Sequence, residues 1–109
     1  MLDLSAFALD EAACFNYFRD GNQPGNGGTS DQSPRGVAYS IGTCMSIQAN
    51  QATGWEALHK AAKTDAERAH CAAMVMHWRH KLDLWARTHA RIWACLDSAA
   101  ASHNAAATA

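Results

Sequence analysis

The sequence predicts an all-α protein: a small helical bundle of three to four helices with a long C-terminal heptad-patterned helix. Apolar residues recur at alternating spacings of four and three through the C-terminal third, and no stretch shows the two-residue period of a strand. A chain of 109 residues is also the size of one domain. We therefore expect a single helical domain over residues 1–109, with a flexible Gly-rich loop at 20–33 and a frayed tail at 102–109.

The first helix is predicted over residues 5–19. Ser5 is a suitable N-cap, and Asp10 and Glu11 lie in the N-terminal half, where acidic side chains interact favourably with the helix dipole. Residues 20–33 contain four glycines, one proline and no large apolar side chain, which is typical of a mobile loop. This loop lacks the lysine of a phosphate-binding P-loop, so we do not expect phosphate binding there.

Three local patterns predict where the later helices begin. Serine is a favoured N-cap and proline suits the first helical position, so Ser33 and Pro34 predict the start of the second helix. Two capping-box patterns follow, in which a threonine precedes a glutamate by three residues; they are Thr53 with Glu56 and Thr64 with Glu67. These boxes predict a short helix over about 54–62 and a long helix over about 65–101.

The long helix carries a heptad of mostly apolar residues, which we call the seam. Its a/d rhythm predicts one long face that is buried against other helices or against a second copy of the chain. The seam consists of Cys71, Val75, Trp78, Leu82, Trp85, His89, Ile92 and Leu96. His89 is its unusual member, because a polar residue in such a position usually sets helix register or oligomeric state at some cost in stability.

A basic surface is predicted on the same helix, formed by Arg79, His80, Lys81, Arg87 and Arg91. Arg87 and Arg91 lie one helical turn apart and are expected to present one continuous patch. We expect this surface to bind a protein partner whose surface is acidic. The alternative is a nucleic-acid-binding regulator that uses the same basic face.

Histidines and cysteines raise the question of a metal site or an enzyme. His70, His77 and His80 share the long helix, but His70 and His77 lie two turns apart, so one metal ion could bind both only with help from a second helix. The four cysteines form no CxxC pair and are expected to be buried thiols. No nucleophile with an orienting acid accompanies His89. We therefore expect no catalysis, no metal and no cofactor.

Composition and charge complete the functional expectation. The net charge of -1 provides no overall attraction to nucleic acid or to an anionic membrane, and the uncharged stretch at 36–55 contains too many polar residues to enter one. The N-terminus lacks the basic region of a secretion signal, which favours a cytoplasmic location. We expect a small non-enzymatic protein that acts by protein–protein binding, as a steric inhibitor or accessory factor of the kind found in phages and mobile elements. A homodimer through the long helices is one arrangement that the seam would permit.

Overall fold

The fold is a helical hairpin with a shorter helix packed across one half of it. The computed structural model describes residues 2–22 and 31–108, with side chains to residue 101. Within these ranges a short 3₁₀ helix, Leu4–Ala6, is followed by α1 (Leu9–Gly21), α2 (Pro34–Ala61) and α3 (Asp65–Thr108). The predicted all-α fold class is confirmed. The predicted loop at 20–33 lies largely outside the described residues.

The first helix begins later than predicted, because Ser5 does not cap it. Instead, Asp3 Oδ1 accepts a hydrogen bond from the Ser5 N–H at 2.9 Å and caps the 3₁₀ helix. The backbone is then extended at Phe7, whose ring is buried in the core. α1 begins after this break, where Glu11 Oε1 accepts from the Ala8 N–H at 3.0 Å. Burial of Phe7 therefore displaces the start of α1 from Ser5 to Leu9.

The start of α2 is as predicted, but its end is not. The Ser33 hydroxyl accepts a hydrogen bond from the Gly36 N–H at 3.2 Å, and Pro34 occupies the first turn. The helix then continues to Ala61 without a break, so the separate helix predicted over 54–62 is wrong. Buried Ala52 continues the face that α2 packs against α3, and this packing outweighs the local capping pattern at Thr53.

The second capping box does begin a helix. Thr64 Oγ1 accepts from the Glu67 N–H at 3.1 Å, and Glu67 Oε2 accepts from the Lys63 N–H at 3.1 Å. α3 extends beyond the predicted end at residue 101 and reaches Thr108, a length of 44 residues. At ~1.5 Å per residue this helix spans about 66 Å, which matches the longest dimension of the molecule, 66 Å.

The hydrophobic core lies in one half of the molecule, where all three helices meet. Val37, Ile41 and Ile92 are fully buried at its centre. α1 contributes Phe15 and Phe18, and the Phe18 ring packs edge-on against Trp85 with 5.1 Å between ring centroids. We call this half the proximal end; it contains the N-terminal part of α2 and the C-terminal part of α3.

The seam describes the buried face of α3 only in part. Cys71 and Ile92 are buried, whereas the other six members are half-buried: Val75, Trp78, Leu82, Trp85, His89 and Leu96. Thr88 lies outside the seam and is fully buried, with its hydroxyl donating to the Leu84 carbonyl at 2.8 Å. The reason is that α1 packs beside α2 at the proximal end, which widens the buried face of α3 beyond a two-helix seam.

This division predicts that equivalent seam positions contribute unequally to stability. Ile92→Ala should lower the free energy of unfolding by ~2–5 kcal/mol, because it leaves a cavity in a fully packed site. Val75→Ala, in the half-buried part of the same seam, should lower it by less than half of that amount. Urea denaturation of the two variants measures both values. Equal losses would show that the seam is packed uniformly along α3.

Candidate functional site

The half of the hairpin that α1 does not cover is the main candidate for a functional surface. α1 contacts α3 through Trp85, Arg87 and Arg91, which lie from the middle of α3 towards its C-terminus. Beyond that point α2 and α3 continue as two helices alone. We call residues 46–82 the distal arm. An isolated pair of helices cannot bury both of its faces, so this arm retains exposed apolar side chains on each side.

One groove of the distal arm lies on the side away from α1. It has a volume of about 460 Å³ and is lined by Glu56, His59, Lys60, Ala72, Val75, Met76 and Arg79. Met76 is 72% exposed in it. An ion pair between Arg79 and Glu56 joins the two helices across this groove.

A second groove lies on the opposite side of the arm, near the α2–α3 connection. It has a volume of about 280 Å³ and is lined by Leu58, Ala61, Ala62, Glu67, His70 and Cys71. Leu58 is 54% exposed, and the His70 ring packs edge-on against Trp55. The arm therefore presents an apolar groove on each of its two faces.

The five basic residues predicted to form one partner-binding patch fall into two groups with different contacts. Arg87 donates to Asp10 Oδ2 at 2.9 Å, to Glu11 Oε2 at 3.0 Å and to Asp83 Oδ2 at 3.0 Å. Arg91 lies 3.5 Å from Glu11 Oε1. The two arginines thus attach α1 to α3, and each keeps part of its side chain exposed, 38% for Arg87 and 46% for Arg91. Binding of a partner at this patch stays a prediction.

The ion pairs of this network shift the pKa values of its members. The guanidinium of Arg87 lowers the pKa of the Asp10 carboxyl. The pKa of Glu11 is also lowered, chiefly by the Ala8 N–H that its carboxylate accepts and further by Arg87 and Arg91, although burial opposes the shift. In return, Asp10 and the other carboxylates raise the pKa of Arg87. Glu11 is 3% exposed, so it is a buried carboxylate that holds α1 in place.

The other three basic residues belong to the distal arm. Arg79 pairs with Glu56, His80 is exposed, and the Lys81 ammonium lies 5.4 Å from the centroid of the Trp78 ring. The arm contains five lysines and arginines, three acids and four histidines. All three acids have partners, since Glu56 pairs with Arg79, Asp65 pairs with Arg68, and Glu67 accepts the Lys63 N–H. The arm is therefore the electropositive part of the chain.

His89 is half-buried between the two long helices. Its Nε2 accepts a hydrogen bond from Trp93 Nε1 at 3.3 Å, which places the imidazole proton on Nδ1. On α2 it faces Gly42, where an added Cβ would lie 3.5 Å from His89 Nε2. A Cβ at position 42 would therefore meet the imidazole in ordinary van der Waals contact, and His89 has a packing role within the hairpin.

Buried polar atoms without partners occur in the arm as well as in the core. Gln48 Oε1 and Trp78 Nε1 lie in the arm, and Asn16 Oδ1 lies in α1. An unsatisfied buried group costs on the order of 1–3 kcal/mol. Among the described residues, such groups therefore occur both in the arm and in α1.

The histidines raise the question of a metal site, and the four cysteines raise that of buried thiols. Within the described part of the chain, no three histidine, cysteine or acidic side chains lie close enough together to hold a metal ion. All four cysteines are free thiols. Burial raises the pKa of the Cys14 thiol and that of Cys44, which makes both poor nucleophiles at neutral pH.

Comparison with protein-family models, with characterised proteins and with solved structures found no match. Among the described residues, no helix is both long enough and apolar enough to cross a membrane.

Two features of this surface were not anticipated from the sequence. Glu11 is the centre of the α1–α3 network. The sequence feature that could have indicated it is a glutamate three residues after Ala8, the residue that precedes α1. Ile47 and Leu58 are exposed on α2. Ile47 lies seven residues after Ser40, and Leu58 lies fourteen residues after Cys44. Both therefore lie on the α2 face that turns towards α1 at the proximal end.

The Glu11 network predicts that acid destabilises the protein. The pKa of Asp10 and that of Glu11 lie below their ordinary values of 3.8 and 4.5 in the folded state. Their stabilisation is therefore complete above about pH 5 and is lost as the pH falls through the folded values. The free energy of unfolding should decrease between pH 5 and pH 3. Glu11→Gln should flatten this decrease.

Chemical denaturation at several pH values provides the measurement. Asp97→Asn, which changes an exposed carboxylate outside the network, is the control and should keep the wild-type slope. A Glu11→Gln profile that superimposes on wild type would contradict the role assigned to the network.

Burial of Cys14 predicts selective alkylation. With iodoacetamide at pH 7.5, Cys95, which is half-buried beside a groove near the N-terminus, should be modified before Cys14. Cys14 should react at the rate of Cys95 only in denaturant. Peptide mass spectrometry after timed quenching measures both rates, and equal rates in the native protein would show that α1 does not stay packed.

Proposed function

We propose that this chain is a non-enzymatic helical protein that acts by binding a protein partner through the distal arm. The observation that supports this proposal is the arm itself, a two-helix projection with an apolar groove on each face. Ile47, Leu58 and Met76 are all more than half exposed along it. Clustered exposed apolar side chains rimmed by polar residues are typical of protein interaction sites.

The surface area of the chain supports the same proposal. The chain exposes 7121 Å², whereas a compact monomer of 11.7 kDa exposes about 5,900 Å². The excess of about 1,200 Å² exceeds the ~800 Å² that each partner contributes to an interface of standard size. The elongated chain as a whole therefore exposes more surface than one partner needs for an interface of standard size.

The mode of action that suits this shape is steric. The two helices of the arm are joined by a short connection that is capped by Thr64 and Glu67, so the arm is a preformed projection. Such a projection occupies a groove or blocks a surface on its partner without chemistry of its own. An inhibitor or an accessory factor acts in this way.

A protein partner suits the charges better than a nucleic acid does. Arg79, Arg87 and Arg91 already pair with carboxylates of this chain, which weakens the continuous basic face that the nucleic-acid alternative requires. What remains exposed on the arm is a mixture of apolar, histidine and lysine side chains. Mixed surfaces of this kind favour protein recognition over phosphate contacts.

The proposal predicts that changes on the arm abolish partner capture. A variant with Leu58→Glu and Met76→Glu places a charge in each arm groove and should lose the partner that the wild-type chain captures from its native host. The matched control is Leu9→Glu with Tyr39→Glu, which changes two apolar residues outside the arm that are at least as exposed as Leu58 and Met76. The control should retain the partner.

Affinity capture followed by mass spectrometry, with all variants shown to be helical by circular dichroism, decides the outcome. Loss in the control alone would place the binding surface outside the arm. Capture that disappears on nuclease treatment would favour the nucleic-acid alternative.

A further inference from the structure

α1 shows what kind of helix the hairpin accepts on one of its sides. Its apolar residues Cys14, Phe15 and Phe18 enter the core between α2 and α3. Its acidic residues Asp10 and Glu11 lie at the edge of this contact and pair with arginines of α3. The hairpin therefore binds an amphipathic helix with an acidic edge at its proximal end.

The face of α3 that binds α1 continues into the distal arm. Residues seven or fourteen positions apart share one face of a packed helix. Thr88, which interacts with Cys14 of α1, is preceded on this face by Lys81 and Met74. Leu84, which packs against the core, is preceded by His77 and His70. The seam shows the same repeat, because Trp78 precedes Trp85 by seven residues.

The α2 side of this face continues in the same way. Ile47 and Leu58 follow Ser40 and Cys44 along it, and they are 53% and 54% exposed. Leu58 and His70 line one groove together. We call the whole surface the arm groove; it is formed by Ile47, Leu58, His70, Met74, His77 and Lys81.

The charges of the arm groove match those of the α1 site. At the proximal end the cations are Arg87 and Arg91, and both are paired with acids of α1. In the arm groove the basic groups are Lys81, seven residues before Thr88, and His77 and His70, which lie 14 and 21 residues before Arg91. Among the described residues, no carboxylate forms an ion pair with Lys81. Glu67, which lines a cavity together with Leu58 and His70, accepts a hydrogen bond from the Lys63 N–H.

We infer that the arm groove binds an amphipathic helix of a partner protein that carries an apolar face and an acidic edge, and that this helix extends the three-helix packing of the proximal end along the arm. The inference depends on the proposed function and adds to it the face of the arm and the chemistry of the partner. Helix-in-groove recognition requires these two features, namely apolar anchors and complementary flanking charge.

The test uses the full chain and two synthetic peptides. One peptide has the sequence of residues 3–21 with Cys14→Ala, which combines the apolar face of α1 with four acids and one arginine. The second has the same sequence with the four acids replaced by lysine. In a fluorescence anisotropy titration, the acidic peptide should bind roughly tenfold or more tightly than the lysine peptide.

Variants locate the binding site on the arm. Leu58→Glu and Lys81→Glu should each weaken the acidic peptide by roughly tenfold or more, whereas Lys81→Arg should retain binding. Met76→Glu, an exposed apolar change on the opposite face of the arm, should have little effect. Because these positions are exposed or half-buried surface sites, circular dichroism should show that every variant stays helical.

Four outcomes would overturn the inference. If neither peptide bound, or if both bound equally, the groove would not select an acidic helix. Binding insensitive to Leu58→Glu and Lys81→Glu would show that the peptide displaces the chain's own α1. A DNA duplex that binds through Lys81 where the acidic peptide does not would make the groove a nucleic-acid site. If Met76→Glu alone abolished partner capture, the proposed function would stand, but the arm groove would not be the face that binds the partner.

Discussion

The structure depends on a mismatch between the lengths of its helices. α1 has 13 residues, whereas α2 has 28 and α3 has 44. At ~1.5 Å per residue, α1 covers about 20 Å of a hairpin that is roughly twice as long. A three-helix core can therefore form at one end only, and Val37, Ile41 and Ile92 are buried there. The remaining length of α2 and α3 must exist as a two-helix arm.

The position of α1 on the hairpin is determined by charge as well as by apolar packing. Apolar packing of Phe15 and Phe18 favours this position, and buried Glu11 adds to it, because Glu11 cannot leave Arg87 and Arg91 without becoming an unpaired buried charge. A buried ion pair adds little net stability, yet breaking it is costly. We interpret Glu11 as a register device that keeps α1 at the proximal end and so leaves the arm uncovered.

Local sequence signals predicted a helix start correctly where tertiary packing does not oppose it. Ser33 with Pro34 and Thr64 with Glu67 both begin helices as expected. Thr53 with Glu56 has the same pattern and begins none, because the α2 face packed against α3 continues through it. The difference between these boxes is tertiary packing, which no local pattern contains.

The candidate site was less predictable for the same reason. The heptad correctly identified the side of α3 that faces α2, but it could not show that a third helix would bury Thr88 as well. The basic residues were found from their spacing on α3 alone. Their separation into structural arginines and arm residues depends on the acids of α1, which lie more than seventy positions away in sequence. Such pairings become visible only in the folded chain.

An uncovered arm raises the question of how it stays folded and dispersed before a partner arrives. Surface ion pairs such as Arg79 with Glu56 contribute at most ~1 kcal/mol each, so the arm depends mainly on burial of Cys71 and Ala52 between its two helices. Its exposed apolar side chains would favour self-association. The surplus of lysine and histidine opposes that association, because two arms carry charge of the same sign. The same charge that keeps the free arms apart would attract an acidic helix, so one surface property accounts for both dispersal and partner choice.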